Sequence, residues 1–244
     1  MYIDPQDIST PVFHGSARRG LVTRRTSFWK RYWSGQMEWT DDHVWNEERQ
    51  RLLASALNRL PVESLKVGKV LEAGCGGGSF TAHLKHLGFK VVGIDIAIEA
   101  IRVARTNARD LFSCCSLEDY LPFHDGSFTC IWSSEVLEHL FDIHFCLSEF
   151  NRVLSPSGIL ILTTPYHGIL KNVLIAILGF ERHFNPYISH IRFFTKRSLT
   201  EVLFRAGFKP ILWHGIGRMW PLYKSFFLVA IKISSPGHAP KNIE

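Results

Sequence analysis

The segment "VLEAGCGGGSF", Val70–Phe80, decides the fold class of this chain of 244 residues. A short apolar run carries the acid Glu72, four glycines follow within five positions, and then a helical pattern begins. Glycines let the chain turn sharply and let a ligand approach the backbone, and a helix start offers free N–H groups. The segment therefore predicts a ligand-binding loop between a strand and a helix of an α/β fold.

A second carboxylate is placed to act together with this loop. The next strand pattern, "VVGID", ends at Asp95. In a doubly wound sheet the carboxyl end of that strand lies beside the glycine loop, where a carboxylate can accept both hydroxyl protons of a ribose; the alternative is an ordinary helix N-cap. A dinucleotide fingerprint is disfavoured because Ser79 occupies the position of its third glycine.

Strand and helix patterns alternate over the remainder of the chain, which predicts an α/β fold with a mostly parallel sheet and helices on both faces. The last two apolar stretches, "KPILWHGI" and "YKSFFLVAIKIS", predict a hairpin at the sheet edge. We divide the chain into an N-terminal arm and helical cap, residues 1–60, and a main domain, residues 61–244. The main domain carries an insert over about residues 166–194, after strand five.

The composition is typical of a globular protein, with 46% hydrophobic and 20% charged residues. A net charge of +6 permits an anionic substrate, a nucleic acid or an acidic membrane surface, but requires none of them. Five cysteines without a CxxC pair indicate neither a disulfide framework nor a zinc ribbon. Together with the absence of a signal-peptide pattern and of any apolar run long enough to span a bilayer, they favour a cytoplasmic protein with reduced thiols.

Four segments together resemble a known family. "VLEAGCGGGSF", "VVGIDIA", "LEDYLPFHDGSFTCIWSSEVLEHLFD" and "NRVLSPSGILILTTPY" follow the order and spacing of class I S-adenosylmethionine-dependent methyltransferases. They look most like the broad type 11 group that includes the ubiquinone-biosynthesis O-methyltransferases. The resemblance implies a Rossmann-like, seven-stranded, mostly parallel sheet with S-adenosylmethionine as cofactor.

The resemblance also implies roles for individual residues. Glu72 and the glycine loop would face the methionine end of the cofactor, Asp95 would bind the ribose hydroxyls, and Ser133 would lie beneath the sulfonium. Two departures affect the pattern: Thr129 replaces the usual acid after "GSF", and the adenine-side acid is displaced beyond Ser116. The full set of expected cofactor-binding residues is Glu72, Gly74, Gly76, Gly78, Asp95, Ile96, Ser116, Leu117 and Ser133.

The segment "EVLEHL", Glu135–Leu140, follows strand four at the edge where such folds carry their chemistry. If the segment is helical, Glu135, Glu138 and His139 share one face. These three residues are the expected catalytic residues, and we predict that they face the acceptor pocket. With His190 brought near them, the four form a candidate site for Mg²⁺, Mn²⁺ or Zn²⁺; metal-using relatives carry a similar Glu-x-x-Glu-His motif.

Two alternatives to a metal site stay open: His139 acts as a metal-free general base, or the cluster is structural. The leading function is methyl transfer from S-adenosylmethionine to a small-molecule acceptor, at a hydroxyl oxygen. The competing functions are RNA methylation, which the arginine-rich stretch "RRGLVTRRTSFWKRYW" half fits, and a non-catalytic cofactor-binding module. A nucleic-acid partner is the less favoured expectation.

Overall fold

The computed structural model describes residues 27–35, 44–59, 68–108, 111–183 and 190–233. These residues form one seven-stranded sheet in the order β3-β2-β1-β4-β5-β7-β6. Strands β1 to β5 are parallel, and β7 runs antiparallel to both of its neighbours, β5 and β6. The predicted Rossmann-like, mostly parallel sheet is confirmed, with strands β1 Lys69–Ala73, β2 Lys90–Asp95, β3 Leu111–Cys114, β4 Phe128–Ser134, β5 Leu154–Pro165, β6 Phe208–Ile216 and β7 Ser225–Lys232.

Helices connect the strands and cover both faces of the sheet. They are α1 Asn46–Arg59, α2 Ser79–His86, α3 Ile98–Asn107, α4 Ile143–Val153, α5 Ile169–Leu178, α6 Phe180–His183 and α7 Lys196–Arg205. A further helical segment over residues 27–33, the aromatic helix, precedes α1. Residues 18–26, the first part of the arginine-rich stretch, lie outside the described residues.

Alternate residues of the central strands serve the two faces of the sheet, because successive side chains of a strand point in opposite directions. Val70 and Trp132 pack with α1 and α2 on one face. Leu71 and Ile131 pack with α4 and α7 on the other face. Helix α1 therefore shares a core with β1 and β4, and this packing carries its side chains to the carboxyl edge of the sheet.

The insert after β5 contains a helix with unusual polarity. Lys171 is buried in α5, whereas Ile169 is 83% exposed and Leu178 is 80% exposed. The Lys171 ammonium donates hydrogen bonds to the carbonyl oxygens of Tyr166, at 2.7 Å, and Tyr223, at 2.9 Å. These bonds attach the start of α5 to the end of β5 and to the loop before β7. No helix among the described residues has the length and apolar character that crossing a bilayer would require.

Candidate active site

A cavity of about 400 Å³ lies at the carboxyl edge of the sheet. It is lined by the loops that follow β1, β2, β3 and β4, by α1 and by the aromatic helix. This is the edge where open α/β sheets bind their ligands. Of the residues expected to bind the cofactor, the cavity wall includes Glu72, Gly74, Gly76, Asp95, Ile96, Ser116 and Leu117.

The glycines of the loop serve two different purposes. Gly76 has a φ of 50°, and a Cβ added to it would lie 2.8 Å from the ring of Trp33. Gly78 has a φ of 79° and lies outside the cavity wall; a Cβ there would meet Ala104 at 3.0 Å and Phe112 at 3.2 Å. Gly76 thus leaves room at the ligand cavity, while Gly78, expected at the cofactor, lets α2 start against α3 and β3.

Asp95 organises the glycine loop. Its carboxylate accepts hydrogen bonds from the backbone N–H of Gly76 and of Ala97, both at 2.9 Å. Burial raises the pKa of Asp95, and the backbone donors oppose that rise. The N-cap residue of α3 is Ala97, so Asp95 does not fill the N-cap position considered as its alternative role. A carboxylate accepts about four hydrogen bonds, so capacity remains toward the cavity.

Glu72 lies deeper in the cavity wall. Its carboxylate accepts a hydrogen bond from the Thr81 hydroxyl of α2. Burial, followed by the nearby charge of Asp95, raises the pKa of Glu72 to about 8, although the Thr81 hydrogen bond lowers it. Glu72 therefore offers a protonated carboxyl at neutral pH, and a cation bound beside it would favour the ionised form.

Beyond β3, the cavity wall continues through Ser116 and Leu117. The Ser116 hydroxyl accepts a hydrogen bond from the backbone N–H of Glu118, at 3.1 Å. The Glu118 carboxylate accepts two more, from the N–H groups of Phe141 at 2.7 Å and Asp142 at 2.9 Å. Glu118 lies beyond Ser116, where the family pattern expects an acid near the adenine. It instead connects the loop after β3 to the start of α4.

At the end of β4 the cavity-facing serine is Ser134. Its hydroxyl lies 2.9 Å from that of Thr163. Ser133, expected beneath the sulfonium, is 1% exposed and is not part of the cavity wall. The difference is one position, and it follows from the alternation of side chains along a strand.

The segment Glu135–Leu140 does not form the α-helix that would place Glu135, Glu138 and His139 on one face. Glu135 has a φ of 53°, and Leu137–His139 form a single 3-10 turn. Glu135 and His139 line the cavity, whereas Glu138 is fully buried outside its wall. The Thr164 hydroxyl donates to the Glu138 carboxylate at 3.1 Å.

The structure separates Glu135 from the other expected metal ligands. The Glu135 carboxylate lies 3.4 Å from the Arg49 guanidinium and accepts a hydrogen bond from the Ser225 hydroxyl at 3.1 Å. Both partners of the ion pair are buried, with side chains 2% and 7% exposed. Glu135 therefore pairs with Arg49 of α1 and does not join Glu138, His139 and His190.

Glu138, His139 and His190 do come together. One ligand atom from each lies within 4.8 Å of the other two. His139 Nε2 lies 4.0 Å from Glu138 Oε1, and the two imidazole rings have centroids 4.8 Å apart. Trp29 of the aromatic helix packs its ring edge-on to His139, with centroids 5.0 Å apart. His183, which also belongs to the insert, instead lies beside His167, with ring centroids 5.7 Å apart.

Arg49 and Asn46 line the cavity, although no sequence motif points to them. The Arg49 guanidinium donates to the Asn46 side chain at 3.3 Å. A buried arginine on a short amphipathic helix is indistinguishable by sequence from a solvated one, because only the packing of α1 on the sheet turns it inward. The nearest available signal is the unusual density of tryptophan and tyrosine around residues 28–45.

Comparison with known proteins gives one family and a consistent fold. The family model described as a methyltransferase domain matches residues 45–212. The rat mitochondrial ubiquinone biosynthesis O-methyltransferase is 32% identical over 161 residues, which cover 61% of this chain and 46% of that protein. The malonyl-[acyl-carrier protein] O-methyltransferase of Methylovorus sp. is 30% identical over 178 residues, which cover 68% and 57%. The chain spans about half the length of these curated relatives.

Solved structures with the same fold include two methyltransferases with bound S-adenosylhomocysteine. The 1,6-didemethyltoxoflavin-N1-methyltransferase of Burkholderia thailandensis has a TM-score of 0.64 at 22% identity and covers 96% of this chain and 99% of its own. The magnesium protoporphyrin IX methyltransferase of Synechocystis has a TM-score of 0.61 at 20% identity and covers 88% and 97%. At these identities the likeness concerns the fold.

Proposed function

The chain belongs to the methyltransferase-domain family, and from this membership we propose that it transfers a methyl group from S-adenosylmethionine to a hydroxyl oxygen of a small-molecule acceptor. The observation that carries the proposal is a cavity lined both by Asp95 with the glycine loop and by His139. Curated relatives that are O-methyltransferases by name favour oxygen as the nucleophile.

The groups around the cavity suit the parts of S-adenosylmethionine. Asp95 has acceptor capacity for the ribose hydroxyls, and Ile96 and Leu117 offer apolar surface to the adenine. Arg49 supplies a buried cation for the methionine carboxylate, since charge-assisted hydrogen bonds to arginine are the strong ones. Glu72 supplies a carboxyl for the ammonium group, and its ionised form becomes favoured when that cation is present.

Methyl transfer is an in-line displacement. The acceptor oxygen forms a bond to the methyl carbon, the carbon–sulfur bond breaks with its electron pair passing to sulfur, and the hydroxyl proton leaves. The protein accelerates such a step by holding the two partners in a near-attack geometry and by excluding water. Trp29, Tyr32 and Trp33 of the aromatic helix line the cavity and provide the exclusion. Without an ion at His139, its imidazole is placed to take this proton.

We also propose that Glu138, His139 and His190 hold a divalent ion. A carboxylate with two imidazoles is an established donor set, and two nitrogen ligands favour Mn²⁺ or Zn²⁺ over Mg²⁺. The Thr164 hydroxyl orients the Glu138 carboxylate, as outer partners of metal ligands do. Ligands about 2 Å from one ion lie at most about 4 Å apart. The three ligand atoms here lie within 4.8 Å of one another, and small side-chain rotations would bring them into range. When bound, such an ion lowers the pKa of a coordinated hydroxyl.

Calorimetric titration with S-adenosylmethionine tests the cofactor assignment. Asp95→Ala should weaken binding at least about tenfold, because it removes charge-assisted hydrogen bonds worth about 1.5–3 kcal/mol each. Asp125→Ala is the matched control, since Asp125 is 80% exposed and pairs with Arg152 away from the cavity. A wild-type protein that binds no cofactor at high micromolar concentration would refute the proposal.

Radiolabelled methyl transfer into a cell extract, fractionated into lipid, small-molecule and RNA pools, tests the reaction. We expect label in a lipid or small-molecule pool, in a bond with the stability of an ether or ester. Label in RNA would contradict the proposed acceptor class. Cofactor binding without label in any pool would favour a non-catalytic cofactor-binding module.

A further inference from the structure

Two side chains from distant parts of the chain hold the peptide that follows the 3-10 turn. Glu118 accepts hydrogen bonds from the N–H groups of Phe141 and Asp142, at 2.7 Å and 2.9 Å. Arg192 binds the same peptide through its carbonyls: its Nε donates to the Leu140 oxygen at 2.7 Å, and its Nη2 donates to the Phe141 oxygen. The amides and the carbonyls of one short segment are therefore fixed by two different side chains.

The main chain around Arg192 binds the other side of the turn. The N–H groups of Ile191 and Arg192 donate to the Glu138 carbonyl oxygen, at 2.9 Å and 3.2 Å. His139 thus lies between two attachments to residues 191–192, one at Glu138 and one at Leu140 and Phe141. His190, whose ring centroid is 4.8 Å from that of His139, is the residue directly before these attachments.

From this arrangement we infer that Arg192 is a positioning residue, which fixes the separation of the His139 and His190 side chains. Arginine suits this task because its planar guanidinium can donate to two successive carbonyl oxygens in a fixed geometry, which the single ammonium of lysine cannot reproduce. The side chain is half-buried, so its charged hydrogen bonds are only partly exposed to competition from water. Arg192 does not line the cavity, and it acts through the two histidines.

The inference rests on the proposed function in one respect, that His139 acts at the methyl acceptor. Arg192→Ala should therefore lower kcat by about 10²-fold, the loss expected when a reacting group is misplaced by about 1 Å. The affinity for S-adenosylmethionine should stay within about twofold of the wild-type value, because Arg192 contacts none of the residues assigned to the cofactor. Added guanidinium ion at millimolar concentration should restore part of the rate, whereas Arg192→Lys should restore little.

Arg152 provides a matched control. Its guanidinium also donates to two main-chain carbonyls, of Phe123 at 2.8 Å and Leu121 at 3.0 Å, but neither residue lines the cavity. Arg152→Ala should lower the free energy of unfolding while the kcat of the folded protein stays unchanged and insensitive to guanidinium. A loss of kcat that is equal in the two variants would overturn the positioning role.

Amide hydrogen exchange tests the same inference without substrate or metal. Exchange at Phe141 and Asp142 should accelerate at least about tenfold in Arg192→Ala, because the segment opens locally, and should not change in Arg152→Ala. If Arg192→Ala does not yield folded protein, Arg192→Met carries the same expectation, since it keeps much of the apolar stem and has no donor for the two carbonyl oxygens. Unchanged exchange in the folded variant overturns the inference. A wild-type protein without methyl transfer refutes the proposed function alone, and the exchange comparison then decides the inference.

Discussion

The Arg49 guanidinium and the Glu135 carboxylate face each other at 3.4 Å, with both side chains almost completely buried. Arg49 belongs to α1, and Glu135 follows β4, so the ion pair joins the helix before the sheet to the edge where the cavity lies. Each charge is costly in a buried position without the other. The pair therefore links the stability of α1 to the shape of the cavity.

Removing the carboxylate of this pair should mainly affect stability. Glu135→Ala should lower the free energy of unfolding by about 3–5 kcal/mol, because it leaves the Arg49 charge buried without its partner. Urea denaturation measures the loss. Glu135→Gln, which keeps a hydrogen-bonding group beside Ser225, is the milder control. A Glu135→Ala protein as stable as the wild type would show that the ion pair contributes nothing.

Glu138 should behave differently from Glu135. If Glu138, His139 and His190 hold a divalent ion, a chelator should abolish methyl transfer and leave S-adenosylmethionine binding intact, and Glu138→Gln should give the same result. Mn²⁺ binding, followed by electron paramagnetic resonance, should be lost in Glu138→Gln and retained in Glu135→Gln. If the chelator has no effect and His139→Ala alone lowers the rate by about 10²–10⁴-fold, His139 acts as a metal-free base.

Glu72 should make stability depend on pH. Its pKa is about 8 in the folded protein, against an ordinary value of 4.5. Between these values the folded state binds a proton that the unfolded state lacks, so stability falls as the pH rises, by at most about 1.4 kcal/mol per pH unit. Glu72→Gln removes this dependence.

The measurement for Glu72 is the difference in unfolding free energy between the wild type and Glu72→Gln, taken from urea denaturation near pH 5 and pH 8. The variant should gain stability relative to the wild type as the pH rises. Other titrating groups cancel in this difference, provided that the substitution leaves their surroundings unchanged. A difference that is constant across the range would show that Glu72 is ionised in the folded protein.

The two glycines of the loop should respond differently to alanine. Gly76→Ala places a Cβ 2.8 Å from the Trp33 ring, so the ring must move and cofactor affinity should fall. Gly78→Ala places a Cβ 3.2 Å from the Ala104 backbone, which cannot turn aside as a ring can. The cost of a left-handed conformation, about 1–2 kcal/mol, falls on both variants, since both glycines have a positive φ. Thermal unfolding and calorimetry should therefore show the larger binding defect in the first variant and the larger stability defect in the second.

The local parts of this site were predictable from sequence. The glycine loop follows β1 and Asp95 ends β2, and both strands have clear apolar patterns, so their place at the carboxyl edge follows from the topology. The choice between Ser133 and Ser134 depends on which side of β4 faces the cavity, and an apolar run buried on both faces carries no signal for that. Glu138 and His139 are adjacent in the chain, so their closeness needs no particular backbone conformation, and only the approach of His190 depends on the fold.

The long-range parts were not predictable. Glu135 was grouped with Glu138 because α-helical spacing would place them on one face, whereas the left-handed conformation at Glu135 sends its carboxylate toward Arg49. The ion pair joins residues far apart in the chain, and no local pattern encodes it. The hydrogen bonds of Arg192 depend likewise on the path of the insert. Residues 190–194 form neither a helix nor a strand, so no hydrophobic periodicity in the sequence predicts that path.

The division of labour between Gly76 and Gly78 has a consequence for genetic screens. A screen that scores only enzyme activity would assign both glycines to the same intolerant class, because loss of ligand room and loss of helix packing both remove the product. Scoring the abundance of folded protein beside activity would separate them, with Gly78 variants depleted in both and Gly76 variants depleted more in activity than in abundance. A short motif of this kind thus combines two constraints, room for a ligand and packing of the following helix. At each position, the stricter of the two sets how many substitutions are tolerated.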